Sequence, residues 1–334
     1  MPGTDEKMEI VLTGTGAAEP VYYVRGVKSY TRRHPGAVVL IKRKNKKFGI
    51  KLDFHDHSDL GLLEAKISLS DIDLVLVTHA HEDHLNYRFF ASKLGDCPPR
   101  ADSEFNKKPV IVYGPRAVVD TIVEMLARKN YFPFEFRKRG VIGSYQFRSI
   151  LHTRRKILIL SEVRGGTLIR PFPGIEIKFI SARHYYQSAY ASRGFGKRAF
   201  GFLIKDDETK RTFLYMTDYA DMTGSTRKYF MGSFKGYKID LFIMGMPVPF
   251  PERGVFHMSL ERTLEMIEEL KEAGLASNNP IVILTHLSDR WLFPEVVKRA
   301  HEVFKKHKLE IWFPSEDGVK IELNEKKIIK KSGW

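Results

Sequence analysis

The chain has 334 residues, 43% hydrophobic and 28% charged, a balance that suits a soluble globular fold with a large core. No apolar run reaches the roughly eighteen residues of a membrane-spanning helix, the N-terminus lacks a secretion-signal pattern, and the one cysteine, Cys97, excludes an internal disulfide. A formal charge of +15 favours an anionic partner, nucleic acid or a phosphorylated small molecule, and no membrane partner is expected. The expected compartment is the reducing cytoplasm. Glutamine is confined to Gln146 and Gln187 while Lys and Glu abound, a leaning found in thermophiles.

Residues 8–13 alternate enough to read as a first strand, and Gly14-Thr15-Gly16-Ala17-Ala18 turns the chain. No third glycine follows at nucleotide-loop spacing, so a tight turn is the better reading. Residues 37–42 and 48–53 read as a hairpin, and Asp53 ends its second strand. His55 and His57, which follow, are read as surface or site-rim histidines. Leu74-Val75-Leu76-Val77 is a short buried strand, and His79, His81, Asp83 and His84 come directly after it. Two residues apart in an extended segment, His79 and His81 can face the same way, whereas the adjacent Asp83 and His84 address a second position. Imidazole nitrogen and carboxylate oxygen suit zinc, iron or manganese. The pattern therefore predicts two divalent metal ions, zinc first among the candidates.

Val110–Tyr113 reads as a strand, and Val118, Val119, Ile122, Val123 and Leu126 follow Pro115 at helical spacing. A basic insertion at about 95–170 interleaves Arg128, Lys129, Arg137, Lys138 and Arg139 with Tyr131, Phe132, Phe134 and Phe136. It reads either as an arm that steers or stacks an anionic substrate or as core aromatics with solvated charges. Residues 175–180 alternate as a strand, with His184 expected just beyond it. Residues 198–205 and 211–218 read as a hairpin ending at Asp218. After a strand at 241–244, His257 precedes Ser259, a candidate N-cap for a helix over 260–273. Residues 281–285 repeat the strand-then-histidine pattern at His286. A last helix is expected over 294–307, with Val296, Val297, Ala300 and Phe304 inward, then a short strand from Val319. No linker, repeat or domain break interrupts residues 1–334.

His79-x-His81-x-Asp83-His84 resembles the signature of the metallo-β-lactamase superfamily, and the spacing to His184, Asp218 and His286 follows the superfamily order. The resemblance implies an α/β fold, the αββα four-layer sandwich, with metals at the shared edge of two sheets. It implies that His79, His81 and His184 hold one metal, that Asp83, His84 and His286 hold the other, and that Asp218 bridges them. Asp53 is implied to brace the ligands by hydrogen bonding without binding metal. Asp83, Asp218 and His257 are implied to serve catalysis, His257 by contacting the scissile phosphate. His257-x-Ser259-Leu260-Glu261 and Leu284-Thr285-His286 are similar to the phosphodiesterase branch. Gly14-Thr15-Gly16-Ala17-Ala18 and Leu52-Asp53-Phe54 look most like the cyclic-phosphate phosphodiesterases of the carbon–phosphorus lyase pathway. The extra cysteines of that subgroup are missing here. The tRNA 3′-end endonucleases share the metal motifs.

The expected activity is hydrolysis of small or cyclic phosphodiesters by a metal-bound hydroxide. The alternatives are an endoribonuclease of the tRNA 3′-processing type and a non-catalytic nucleic-acid-binding scaffold with structural metals. A homo-oligomer is expected.

Overall fold

The computed structural model describes residues 7–17, 33–44, 46–55, 58–86, 90, 108–128, 158–186, 196–220, 222, 224–250, 257–313 and 317–329. The chain first lays down β1 (Lys7–Gly14), β2 (Gly36–Arg43) and β3 (Lys46–Leu52), then α1 (Ser58–Glu64), β4 (Leu74–Leu76), β5 (Val110–Gly114), α2 (Arg116–Arg128) and β6 (Leu158–Glu162). It continues through β7 (Leu168–Phe172), β8 (Ile175–Tyr186), β9 (Gly196–Asp206), β10 (Arg211–Met216), α3 (Gly224–Gly232), β11 (Ile239–Gly245) and α4 (Leu260–Glu272). It closes with β12 (Ala276–Thr285), α5 (Pro294–Phe304), β13 (Glu310–Trp312), β14 (Lys320–Glu322) and β15 (Lys327–Ile329).

These strands form two sheets. One is eight-stranded in the order β15-β14-β1-β2-β3-β4-β5-β6, and the other is seven-stranded in the order β13-β12-β11-β10-β9-β8-β7. Strand alternation sorts the core into three layers. On β1, β2 and β3, Ile10, Leu12, Val39, Ile41, Ile50 and Leu52 point between the sheets and meet Ile177, Phe179, Phe202, Phe213 and Tyr215. Their neighbours Val38, Val75 and Val112 point outward to Leu62 of α1 and to Val118, Val119 and Ile122 of α2. On the other sheet Leu203, Leu214, Phe242 and Met244 face Phe230 of α3, Leu260, Leu264 and Ile267 of α4, and Ala300 of α5. The order is helices, sheet, sheet, helices, the αββα sandwich expected from the sequence.

β3, β4, β5 and β6 run parallel to one another, as do β10, β11, β12 and β13. Parallel strands release their following loops at one edge, so the residues after β3, β4, β10 and β12 emerge together. The last helix is shorter than expected, ending at Phe304, and Val303 joins Ala300 in the core while Val296 and Val297 are half-buried. His55 corrects an expectation, for it is 1% exposed rather than on the surface, with its ring edge-on to His34. His57, Cys97, and the insertion's Tyr131–Phe136 with its basic residues from Lys129 to Arg139 lie outside the described residues. No helix among the described residues is long and apolar enough to cross a membrane.

Candidate metal centre

The loop after β4 is tied to both sheets before it reaches its first histidine. Val77 N donates to Tyr113 O at 2.9 Å, and Thr78 O accepts from Phe200 N at 3.0 Å across the sandwich. A single turn then brings His84 N onto His81 O at 3.0 Å, so Asp83 and His84 swing back toward His79. Phe54 N donates to His84 O at 2.9 Å, clamping this turn to the residues after β3. Asp218 follows the end of β10, and His286 follows β12 with a left-handed backbone, φ 55°. His184 departs from the expected strand-end placement, because β8 continues through it to Tyr186. Gly245 lets β11 approach the segment before Asp218, since a Cβ there would lie 1.6 Å from Thr217 O.

These elements bring all seven predicted ligands together. His79 Nε2 and His81 Nδ1 are 2.9 Å apart, His84 Nε2 and Asp218 Oδ2 3.0 Å, and His286 Nε2 and Asp83 Oδ2 3.1 Å. His184 Nε2 lies 3.7 Å from Asp218 Oδ1, and His286 Nδ1 the same distance from Asp218 Oδ2. Ligand atoms of His79, His81 and His184 fall within 4.8 Å of one another, and so do those of Asp83, His84 and His286. Asp218 shares one such group with His79 and His84, and another with His184 and His257. His257, 23% exposed at its side chain, stands with Nδ1 3.6 Å from Asp218 Oδ1.

The donor atoms themselves test whether this set fits a metal. His257 Nδ1 and His286 Nδ1 are buried with no hydrogen-bond partner, beside the His84 Nε2 and Asp218 Oδ2 pair. Buried polar atoms in folded proteins are nearly always paired, and two exceptions facing one cluster of imidazoles and carboxylates fit a cation. A nitrogen-and-carboxylate set of this kind could hold zinc, manganese or iron.

Asp53 occupies the bracing position. Its backbone is left-handed at φ 52°, an arrangement costing a non-glycine residue about 1–3 kcal/mol. Its Oδ1 accepts from Thr78 N at 2.8 Å and Thr78 Oγ1 at 2.9 Å, while Oδ2 lies 2.9 Å from His84 Nδ1 and accepts from Tyr215 OH at 3.1 Å. With Nδ1–H donating to Asp53, His84 turns the lone pair of Nε2 toward Asp83 and Asp218. Thr78 Oγ1 also lies 3.0 Å from His79 Nδ1. Neither Thr78 nor Tyr215 stands out in the sequence, since one reads as a strand end and the other as core.

The electrostatics follow from burial and from the three carboxylates. Burial, helped by His84, keeps His79 well below the ordinary imidazole range, and burial brings both His81 and His257 down to about 4. These rings are therefore neutral at pH 7, the form that binds metal. Burial would raise Asp83 and Asp218, but the surrounding imidazoles outweigh it and hold both carboxyls well below their usual range. Burial alone would also lower His84, yet Asp83, Asp53 and Asp218 push it well above its ordinary value. Without a divalent cation, a proton on His84 balances the carboxylates, and binding such a cation displaces it.

A family model described as the beta-lactamase superfamily domain matches residues 57–287, ending at the residue after His286. The chain belongs to that superfamily. Among solved structures, the metallo-β-lactamase fold protein YhfI from Bacillus subtilis is 15% identical, with 96% of this chain and 100% of that chain covered and a TM-score of 0.60. A diphosphatase from the PhnP family is 16% identical over 95% and 97% of the two chains, with a TM-score of 0.59. The short form of human tRNase Z is 16% identical over 94% and 99%, with a TM-score of 0.53. No curated protein matches by sequence. At these identities the likeness carries the fold, and the superfamily domain places the chain among metallo-β-lactamase-fold hydrolases.

Proposed function

We propose that this chain is a dinuclear-metal phosphodiesterase acting on small or cyclic phosphodiesters. The observation that carries the reading is the meeting of seven nitrogen and carboxylate ligands around Asp218, with a partly exposed eighth side chain, His257, beside them. His79, His81 and His184 would hold one divalent ion, Asp83, His84 and His286 the other, and Asp218 would serve both. Bound ions would supply Lewis-acid activation of water and neutralise charge on the phosphoryl oxygens.

The chain's own residues do the rest. Asp53 fixes the ring and tautomer of His84, and Thr78 orients both Asp53 and His79. Met258 N donates to Tyr219 O at 2.8 Å, and Ser259 accepts from Arg262 N at the start of α4, so the residues that follow His257 are tied to the residue after Asp218 and to the helix. At about 4, the His257 ring is neutral at physiological pH, and its role is to hydrogen-bond a phosphate oxygen through its ring N–H. Two fold relatives, named as a diphosphatase and a tRNase, lend support to phosphate-ester chemistry.

The test is turnover by purified protein with zinc, manganese or iron on bis(p-nitrophenyl) phosphate, 2′,3′-cyclic nucleotides, a monoester and a precursor tRNA. Diester hydrolysis well above monoester hydrolysis is expected. Absence of diester turnover with every ion would reject the reading. The charge of +15 favours the second reading, an endoribonuclease on structured RNA. Under that reading the precursor is cut in preference to small diesters, and its affinity falls steeply between low and moderate salt.

A further inference from the structure

Lys51 is a lysine where the fold has room for an aliphatic side chain. It sits on β3 between Ile50 and Leu52, which point into the space between the sheets, so its own side chain points to the outer, helix-covered face. Its cross-strand partners on that face are Val38 and Val75, both buried. Lys51 is itself 0% exposed and forms no ion pair among the described residues. A buried ammonium without a counter-ion needs another reason to be there.

The reason lies in what the ammonium touches. Lys51 Nζ donates to Leu52 O at 3.1 Å and to Asp53 O at 2.6 Å, and it lies 5.7 Å from the centre of the Phe54 ring. It thus grips three successive residues at the point where the chain turns left-handed, φ 52° at Asp53. Gly36 makes room for it, since a Cβ there would stand 2.7 Å from Nζ. Thr13 Oγ1, buried without a hydrogen-bond partner, is 3.4 Å from the same point. Two carbonyls form a polar pocket for the Lys51 nitrogen inside an otherwise apolar layer.

We propose that Lys51 is a positioning residue of the metal centre: its ammonium holds the left-handed backbone of Asp53 so that the Asp53 carboxylate stays on His84, Thr78 and Tyr215. The inference rests on the metal-centre reading above. The amides of the same segment are tied to the following loops, where Asp53 N donates to Leu76 O at 2.8 Å and Phe54 N to His84 O at 2.9 Å. Without the ammonium, the carbonyls of Leu52 and Asp53 lose their buried donor, and the peptide plane after Asp53 is free to rotate. The carboxylate then shifts against His84, whose Nδ1 lies 2.9 Å from Asp53 Oδ2.

Two variants test this by separate routes. Lys51→Met keeps the volume and removes the donor, and Gly36→Ala keeps the lysine and pushes its head off the carbonyls. Three readouts are taken on each: zinc affinity by chelator competition, the side-chain nitrogen resonances of His84 in metal-free protein, and kcat and KM on bis(p-nitrophenyl) phosphate. Both variants are expected to fold, to bind zinc about 10-fold more weakly, and to show shifted His84 ring resonances, in line with the effect of losing a ligand's hydrogen-bond partner. kcat should fall with KM near wild type. A folded variant with wild-type zinc affinity and wild-type His84 resonances would overturn the proposal. If the wild-type protein turns over no diester, the phosphodiesterase reading fails, while the zinc and resonance measurements still decide the role of Lys51. Should Lys51→Met fail to fold, the same measurements on Gly36→Ala decide between the two outcomes.

Discussion

Replacing Asp53 by Asn changes one atom in a site where each oxygen has a separate task. Oδ1 accepts two hydrogen bonds from Thr78, and Oδ2 takes those of His84 Nδ1 and Tyr215 OH. An asparagine that keeps its oxygen on Thr78 presents NH2 to His84, and a donor then faces a donor. The imidazole resolves the clash by moving its proton to Nε2, the nitrogen that faces Asp83 and Asp218. That proton occupies the lone pair a metal needs. The opposite amide orientation sets NH2 against the Thr78 N–H and loses that bond instead. Loss of a ligand's orienting partner costs about 10–100-fold in metal affinity, or roughly 1.4–2.8 kcal/mol at about 1.4 kcal/mol per tenfold. Asp53→Asn should therefore weaken zinc binding at the Asp83–His84–His286 position by that factor. The group of His79, His81 and His184 should keep its zinc. Chelator competition with two resolved affinities measures this, and the nitrogen shifts of His84 in metal-free protein, followed against pH, report the loss of the Asp53 carboxylate from its ring. Two wild-type affinities together with unchanged His84 ring shifts would refute the reasoning.

The remaining expectations concern other parts of the site. His257→Ala should lower diester turnover by about 10²–10⁴-fold while metal content stays near wild type, as for loss of a group that acts on substrate. A parallel loss of metal on elemental analysis would make His257 a ligand. Gly245→Ala places a methyl on the Thr217 carbonyl and should displace Asp218, lowering both thermal stability and metal content. A variant with wild-type melting and wild-type metal would refute the close approach. Burial lowers Lys51 from 10.5 to about 7, so between those values the unfolded chain binds the extra proton and the folded protein gains stability as pH rises. That contribution is complete above the unfolded pKa and is lost as pH falls through the folded one. The stability of Lys51→Met relative to wild type should then rise as pH falls from 10 to 7, by about 3–4 kcal/mol. Denaturant unfolding of both proteins at pH 7, 8, 9 and 10 checks it, and a constant difference would contradict it.

What the sequence made legible is tied to short range. The valine-rich run before His79 marks β4 because a strand covered on both faces must be apolar throughout, and its ligands follow within a few residues. Asp218 and His286 are found by the same reasoning at β10 and β12. His184 is reached by the same reasoning, but it lies within the strand rather than beyond it. β8 runs past Ile180 by pairing with β9, as in Ser181 opposite Phe200 and Arg183 opposite Arg198, partners that no local pattern displays. His55 reads as a surface or site-rim residue beside Asp56 and His57, yet it is buried, with the ring of His34 edge-on to it. Lys51 looks like the solvent face of an alternating strand. It is buried because α1 lies over β1, with Gly61 close against Thr13 O, and only the folded chain reveals the carbonyls its ammonium meets. Tyr215 reads as core, and its ring is core, but its hydroxyl supports Asp53.

The most direct test of the central claim is anomalous diffraction from crystals of this protein grown with zinc and, separately, with manganese. The account predicts two peaks roughly 3.5–4 Å apart. One should be ligated by His79, His81 and His184, the other by Asp83, His84 and His286, with Asp218 on both and His257 on neither. A single peak, or peaks that leave Asp218 without a metal, would contradict it.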